Sequence, residues 1–166
     1  MTESPSDPDV FTAMLEAINS VTPPFWRIDL QPDRLDGDWR LDGDVDDGLG
    51  PGRLHLVVTA RPGTFLANPC LDPEFRHGAT CTPRRLANGD LLVLRDVVEA
   101  NGTKTLAVVL VHPDRSGVEA EAANFEIGSL SPGDAAAPTR ADPIYSLDQL
   151  ARLVIAVDEG TRAMRD

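Results

Sequence analysis

Three histidines are the residues in this chain best suited to acid–base chemistry. His55 and His112 fall in segments that alternate apolar and polar residues, and His77 lies between the two cysteines. A histidine acts as a general base only beside a nucleophile or an orienting carboxylate. The chain has no Gly-x-Ser-x-Gly elbow, and Ser116 falls in a turn signal. We therefore expect partly buried or rim histidines with structural roles, and we assign no catalytic residue.

The 27 acidic side chains leave room for a site assembled from residues that are distant in sequence. Carboxyl groups that act as acids or bases need an apolar environment, which shifts their pKa. None of the acidic residues stands in such an environment as far as the sequence shows. A hydrolase whose site combines dispersed histidines and carboxylates therefore stays open as an alternative.

The acidic stretch RLDGDWRLDGDVDDG, residues 34–48, contains the sequence RLDGD twice. Three aspartates there have the spacing of positions 1, 3 and 5 of an EF-hand calcium loop: Asp42, Asp44 and Asp46. Position 6 requires Gly but holds Asp47, and position 12 requires Glu but holds Arg53. We expect no tightly bound metal ion, and we predict two turns that flank a short strand around Trp39.

The two cysteines, Cys70 and Cys81, flank one loop that contains Pro, Gly and Asp. With His77 they could supply part of a zinc site, but the spacing matches no Cys-x-x-Cys pair and a fourth ligand is missing. A reactive thiol is a further alternative, because Arg76 and His77 lie in the same loop. The simplest prediction is a disulfide, which stabilises the fold by about 3 kcal/mol when it closes a ring of about a dozen residues.

The glycine-rich segment GLGPGR, which begins at Gly48, superficially resembles a phosphate-binding loop. Such a loop follows a strand and opens a helix, so that the phosphate lies at the helix N-terminus. Here the glycines precede the strand-like segment RLHLVVTAR. We therefore predict no cofactor.

The net charge of −12 arises from 27 acidic and 15 basic side chains. Repulsion from a phosphate backbone argues against nucleic acid as a partner. The chain has no run of 18 apolar residues and no signal-like N-terminus. We expect a protein or small ligand as partner, and contact with a membrane only through an anchor that this chain does not contain.

Periodic apolar residues predict a helix at each end of the chain. The first helix begins at Asp7 as N-cap and ends near Val21. Ser146 and Gln149 form the capping-box pattern of the second helix, which we expect to end before Gly160. Its apolar stripe consists of Leu147, Leu150, Leu153, Val154 and Val157.

Six strand-like segments lie between these helices: FWRIDLQ, RLHLVVTAR, TCTPRRLA, DLLVLRDVV, TKTLAVVLVH and GVEAEAANFEI. Asn-Gly turns at 88–90 and 101–103 predict hairpins, since both central residues of a type I′ turn need positive φ. The sequence therefore predicts an α+β fold, in which an antiparallel β-meander sheet carries the N- and C-terminal helices on one face.

We assign residues 1–166 to a single α+β domain, because this length and 42% apolar residues suffice for one core. Residues 1–6 and 161–166 are predicted to be frayed. Residues 129–143 lack periodicity and are predicted to form an extended surface loop.

Several segments together resemble the extracytoplasmic domain of a set of uncharacterised actinobacterial, Streptomyces-like, membrane-anchored proteins. The resemblance covers about residues 40 to 158 and rests on DVDDGLGPGRLHLVV, NPCLDPEFRHGATC, LVHPDRSGVEAEAANF and TRADPIYSLDQLARLV. Such domains carry a similar cysteine pair, and a transmembrane helix normally precedes them. The resemblance implies no defined activity and no catalytic residue.

The sequence therefore predicts a non-catalytic extracytoplasmic interaction or sensory domain of an actinobacterial cell-envelope protein, associated with the membrane in its full-length context. A disulfide fits this compartment, because disulfides persist where the environment is oxidising. Besides the hydrolase, a second alternative is a cytoplasmic regulatory module whose acidic surface binds a basic partner. Reduced and separated cysteines would favour this alternative.

Overall fold

The computed structural model describes residues 7–126 and 137–165. The predicted fraying of residues 1–6, and most of the predicted 129–143 connection, lie outside the described residues. The helices are α1 (Asp7–Val21), α2 (Pro73–Arg76) and α3 (Leu147–Arg165), with a 3-10 turn at Pro69–Leu71. The strands are β1 (Arg27–Leu35), β2 (Asp38–Asp46), β3 (Pro51–Thr59), β4 (Ala79–Arg85), β5 (Leu91–Val98), β6 (Lys104–Val111) and β7 (Gly117–Ala123).

These strands form one antiparallel sheet in the order β1-β2-β3-β7-β6-β5-β4. Two hairpin-connected groups, β1 to β3 and β4 to β7, meet where β3 pairs with β7, with Leu56 opposite Ala120. The predicted α+β fold with an antiparallel sheet is confirmed. The meander is divided in two because the last strand returns to the middle of the sheet.

The two copies of RLDGD have different conformations. In the first copy, Asp36 and Gly37 have φ values of 53° and 85°, the positive values that a type I′ turn needs at both central positions. In the second copy, Gly43 lies inside β2, where a Cβ would be 2.1 Å from the carbonyl oxygen of Asp29 in β1. The prediction of a second turn there is wrong. Because Gly43 lacks a side chain, β1 can approach and β2 continues for nine residues.

Both Asn-Gly segments close hairpins as predicted, but the turns are not of type I′. Gly89 and Gly102 have φ values of 92° and 88°, whereas the asparagines before them are not among the residues with positive φ. Each glycine amide donates to the carbonyl three residues earlier, at 3.0 Å, as in a three-residue loop built on a type I turn. The loop between β6 and β7 is similar, with Arg115 at φ 67°.

The helices α1 and α3 pack against each other and against one face of the sheet. The predicted capping box of α3 is confirmed, because the Ser146 amide donates to Gln149 Oε1 at 2.9 Å and the Gln149 amide donates to Ser146 Oγ at 3.2 Å. Leu150 and Leu153 are fully buried. No helix in the described ranges combines the length and apolar character that a membrane crossing requires.

The end of α3 differs from the prediction, because the helix continues past Gly160 to Arg165. A Cβ on Gly160 would lie 3.9 Å from the Ala13 Cβ of α1, so this glycine is a close contact between helices and not a helix stop. Thr161 is fully buried. The prediction that residues 161–165 are frayed is therefore wrong.

The opposite face of the sheet has an apolar half and a charged half. Over β5 and β6, the segment 60–78 between β3 and β4 packs onto a small second core. Its members are Cys70, Leu91, Val93, Val109 and Val111, with Phe65, Phe75 and Cys81 beside them. On β2, β3 and β7 the same face carries charged or polar residues: Arg40, Asp42, Arg53, His55, Glu119 and Glu121.

Truncation of the fully buried Leu153 tests whether α3 is docked as described. We expect Leu153→Ala to lower the free energy of unfolding by about 2 to 5 kcal/mol, because it leaves a cavity in the core. Leu49, which is 80% exposed, provides the control, and Leu49→Ala should cost less than about 0.5 kcal/mol. Urea denaturation of both variants measures the two values. Equal, small losses would mean that α3 does not pack on the sheet.

Candidate functional site

The described residues bring one histidine between two carboxylates, from three separate elements. Asp90 directly precedes β5 and His112 directly follows β6, so the pairing of Leu91 with Val111 places them side by side. Asp158 reaches them from α3. The His112 Nδ1 lies 3.0 Å from Asp90 Oδ1, and its Nε2 lies 2.7 Å from Asp158 Oδ1. Both ring nitrogens are thus hydrogen-bonded to carboxylates.

Two arginines complete the surroundings of Asp158. Arg162, one turn further along α3, donates to Asp158 Oδ2 at 2.6 Å. Arg165 donates to Asp158 Oδ1, and also to the Asp158 carbonyl oxygen at 3.2 Å. The side chain of Asp158 is 2% exposed, and a buried carboxylate of this kind requires such partners. The cluster therefore joins α3 to the ends of β5 and β6.

The hydrogen bonds of this cluster shift two pKa values in opposite directions. The hydrogen bond with Asp158 raises the pKa of His112 to about 8; burial opposes this shift and the bond with Asp90 reinforces it. Burial by itself would raise the pKa of Asp158, but hydrogen bonds from His112, Arg162 and Arg165 hold it well below its ordinary value. His112 is therefore an imidazolium at neutral pH, and both of its N–H groups donate.

This arrangement is poorly suited to general base catalysis, although it borders an open cavity. His112 and Asp90 line a cavity of about 570 Å³, but an imidazolium with two donated protons has no free nitrogen to accept another. The Ser116 hydroxyl in the same cavity donates to Asp114 at 2.6 Å. No bond from Ser116 Oγ to His112 occurs in the described residues, so the serine is not activated by it.

The same three residues form the group in the described structure that could hold a metal ion. One ligand atom from each of Asp90, His112 and Asp158 lies within 4.8 Å of the others. A cation among them would have to displace Arg162 and Arg165 from Asp158, whose oxygens they already occupy. As the side chains stand, each carboxylate of the cluster already has a cationic partner in the protein.

The other two histidines lie elsewhere. His55 is partly buried in β3, with Nδ1 3.5 Å from Asp42 Oδ2 and no hydrogen bond to it. Burial lowers the pKa of His55, although the charge of Asp42 opposes the shift. His77 is exposed and follows α2. The structure therefore does not bring the three histidines together.

The aspartates with calcium-like spacing lie along β2 instead of around a loop. Asp42 accepts two hydrogen bonds from Arg53, at 3.1 and 3.0 Å. Asp47, at the position where an EF-hand has glycine, accepts two from Arg140, at 2.9 and 3.0 Å. The side-chain bond from Arg140 lowers the pKa of Asp47. The arginines thus serve as ion-pair partners in this acidic stretch.

The predicted disulfide between Cys70 and Cys81 is present. The sulfur atoms are 2.02 Å apart and the Cα atoms 5.7 Å apart. The bond ties the 3-10 turn of the 60–78 segment to β4, at one edge of the sheet. It therefore fixes the segment that covers the apolar half of this face.

A second cavity lies under that segment. It measures about 520 Å³ and is bounded by Val109 and Glu119 on the sheet side. The remaining lining residues belong to the covering segment or the β6–β7 loop and are mostly apolar: Gly63, Thr64, Phe65, Leu66, Pro69, Asp72, Phe75 and Arg115. Its size falls within the range of small-molecule pockets.

The sequence did not predict the environment of Glu119. Burial raises the pKa of Glu119 to about 7, with a contribution from the charge of Glu121, while Arg95 and Arg40 act against the shift. The prediction that no carboxyl group occupies an apolar environment is therefore wrong. In GVEAEAANF the glutamates alternate with small apolar residues, and this pattern is the same whether the polar face is solvated or covered.

Asp158 could have been identified from the sequence. It follows Val157 and lies four residues after Val154, so it occupies the apolar stripe of α3. A charged residue on such a stripe needs a partner in the core. The identity of the partner could not be inferred, because His112 is 46 residues away.

The pKa of His112 predicts how stability depends on pH. Its folded value of about 8 exceeds the ordinary 6.5, so its stabilisation is complete below pH 6.5 and is lost as the pH rises through 8. The difference corresponds to about 2 kcal/mol. We expect the stability gap between wild type and His112→Gln, measured by urea denaturation, to shrink by this amount between about pH 6 and about pH 9.

The exposed His77 provides the control for this measurement. His77→Gln should unfold within about 0.5 kcal/mol of wild type, as expected for a substitution at an exposed position. A gap between wild type and His112→Gln that is the same at both ends of the range would show that His112 is not held as an imidazolium.

The chain matches no protein-family model, no curated protein and no solved structure. The resemblance to actinobacterial extracytoplasmic domains thus rests on sequence segments alone.

Proposed function

We propose that this chain is a non-catalytic extracytoplasmic interaction or sensory domain of a cell-envelope protein, of the actinobacterial kind that it resembles. A domain of this class binds a protein or a small ligand and carries out no chemical step. The proposal has two parts, the absence of catalysis and the compartment, and each has its own support.

The state of His112 carries the first part. Its two nitrogens are hydrogen-bonded to Asp90 and Asp158 at 3.0 and 2.7 Å, and a general base needs one nitrogen free to accept a proton. The arginines on Asp158 hold that carboxylate in place. This is the arrangement of a structural ion cluster, in which each charge is satisfied by the protein.

The disulfide supports the second part. Disulfides persist in oxidising compartments and are rare in the cytosol, and Cys70 and Cys81 are bonded. The cytoplasmic regulatory module was the alternative for reduced, separated cysteines, whereas Cys70 and Cys81 form a disulfide. The presence of this bond favours the extracytoplasmic proposal over that alternative.

A hydrolase is the second candidate, and the cavity beside His112 is the observation that favours it. His112, Asp90 and Ser116 all line this space of about 570 Å³. Catalysis would require His112 to break its hydrogen bond to one carboxylate and lose that proton when substrate binds, so that one ring nitrogen can accept a proton. Apo geometries can tighten or rearrange in this way.

Hydrolysis assays decide between the two candidates. The purified chain is incubated with p-nitrophenyl acetate and p-nitrophenyl phosphate, next to His112→Gln and the control His77→Gln. We expect all three to show the same background rate. Turnover that is lost in His112→Gln but retained in His77→Gln would overturn the proposal and establish the hydrolase.

The compartment is tested in intact cells of the source organism. A protease that cannot cross the membrane should degrade the domain in wall-stripped cells without lysis, while a cytosolic marker stays intact. Protection of the domain until lysis would place it in the cytoplasm and contradict the proposal.

The contribution of the disulfide is a separate prediction. We expect the double variant Cys70→Ser, Cys81→Ser to lose about 3 kcal/mol of unfolding free energy, because the unfolded chain is no longer constrained by the ring. Wild type treated with dithiothreitol should lose the same amount. If the reduced and oxidised wild-type proteins unfold at the same urea concentration, the bond is not formed in the folded protein.

A further inference from the structure

We propose that the cavity between the 60–78 segment and the sheet binds an organic cation, an amine or quaternary ammonium with an apolar body, through Glu119. The inference goes beyond a general binding role by assigning a site and a ligand class, and it rests on the proposal that the chain binds and does not catalyse.

The position of Glu119 in the sheet carries the first step. Glu119 pairs with Val57 of β3 on one side and with Val109 of β6 on the other, so apolar side chains flank it in its row. The aromatic residues Phe65 and Phe75 line the same cavity from the covering segment. Valines thus flank Glu119 across the sheet, while the charged Glu121 follows it along β7.

The second step is that Glu119 lacks a partner of its own. Within residues 7–126 and 137–165, no hydrogen bond or salt bridge joins its carboxylate to another protein group, and its oxygens, which are not among the buried atoms without a partner, are in contact with water. A partly buried carboxylate without such a partner costs free energy when it is ionised. A bound cation would supply the missing partner.

Among the residues that line the cavity, the two carboxylates of Glu119 and Asp72 outnumber the single guanidinium of Arg115, and two more arginines lie outside the lining. Arg95, which faces Glu119 from β5, has its guanidinium 4.8 Å from the centre of the Phe75 ring. Arg40 faces it from β2 but forms no salt bridge with it. Arg115 is exposed at the β6–β7 loop, where water screens its charge. Asp72 adds a second carboxylate to the lining.

The aromatic residues suit the same ligand class. The faces of Phe rings attract ammonium groups, and recognition of quaternary ammonium by aromatic side chains is a recurrent use of this interaction. The Arg95 guanidinium already lies over the Phe75 ring, so we assign the ammonium to the Phe65 ring, and both rings remain part of the cavity lining. Together with Val109, Leu66 and Pro69, they provide apolar contact for the body of the ligand. Cation recognition and apolar contact thus come from the same cavity.

The probe for the experiment is benzyltrimethylammonium, whose charge does not change with pH. We expect it to bind the full chain with a dissociation constant on the order of 1 mM, measured by shifts of the Val109 and Glu119 amide signals in NMR titrations. Binding should weaken about tenfold from about pH 8 to about pH 6, because protonation of Glu119 removes the charge. Benzyl alcohol and benzoate should bind at least about tenfold more weakly at pH 8.

Glu119→Gln keeps the size of the side chain and removes its charge. We expect at least about a tenfold loss of binding at pH 8 and no remaining pH dependence. Glu121→Gln is the matched control, because Glu121 lies two residues along the same face but does not line the cavity. It should bind within about twofold of wild type at pH 8, with the midpoint of the pH profile lowered.

Phe65→Leu provides a second variant, in which an apolar side chain remains but the aromatic face is lost. It should bind the ammonium more weakly and benzyl alcohol unchanged. The proposal is overturned if Glu119→Gln binds the ammonium as wild type does, if the neutral or anionic probe binds equally well, or if no probe shifts the cavity signals. None of these results would affect the hydrolysis and localisation tests, on which the proposed function depends.

Discussion

Pairing between β3 and β7 is the contact on which the rest of this structure depends. Each hairpin-connected group is a small sheet by itself, and joining the two produces a face broad enough to carry α1 and α3. The residues of β7 make this possible because they are small: Ala120 and Ala122 are fully buried under the helices. At Gly117 a Cβ would lie 1.8 Å from the Leu110 carbonyl oxygen, so a larger residue would separate β7 from β6.

The two faces of the sheet give the Asp158 cluster and Glu119 different surroundings. On the helix side, Asp158 is buried in a core that tolerates a charge only with partners, and one histidine and two arginines provide them. On the other side, Glu119 is central in the sheet, where its neighbours across β3 and β6 are valines. A cluster satisfied by the protein stabilises one arrangement of helix and sheet, whereas a carboxylate without a partner leaves an interaction for a ligand to make.

The features predicted correctly from the sequence depend on local signals. The helix starts, six of the seven strands, the two Asn-Gly hairpins and the disulfide each follow from residues within about a dozen positions of one another. The β3–β7 pairing and the His112 cluster depend on long-range contacts, and no periodicity encodes them. Glu119 was missed because alternation identifies the polar face of a strand but not what covers it. Gly43 was assigned to a turn because local propensity cannot show that β1 approaches there, 2.1 Å from where a Cβ would be.

The path of the chain between β3 and β4 connects the compartment with the cavity. These strands are separated in the sheet by β7, β6 and β5, so the 60–78 segment has to cross all three on the face that the helices leave open. Its apolar residues pack where β5 and β6 offer valines and leucine, and the disulfide to β4 holds them there. Where the segment passes β7, it lies over Glu119 instead. Apolar side chains that packed on Glu119 would remove its charge from water, which costs free energy. Close packing over β5 and β6 and a cavity at the boundary between Val109 and Glu119 are therefore two consequences of a single crossing.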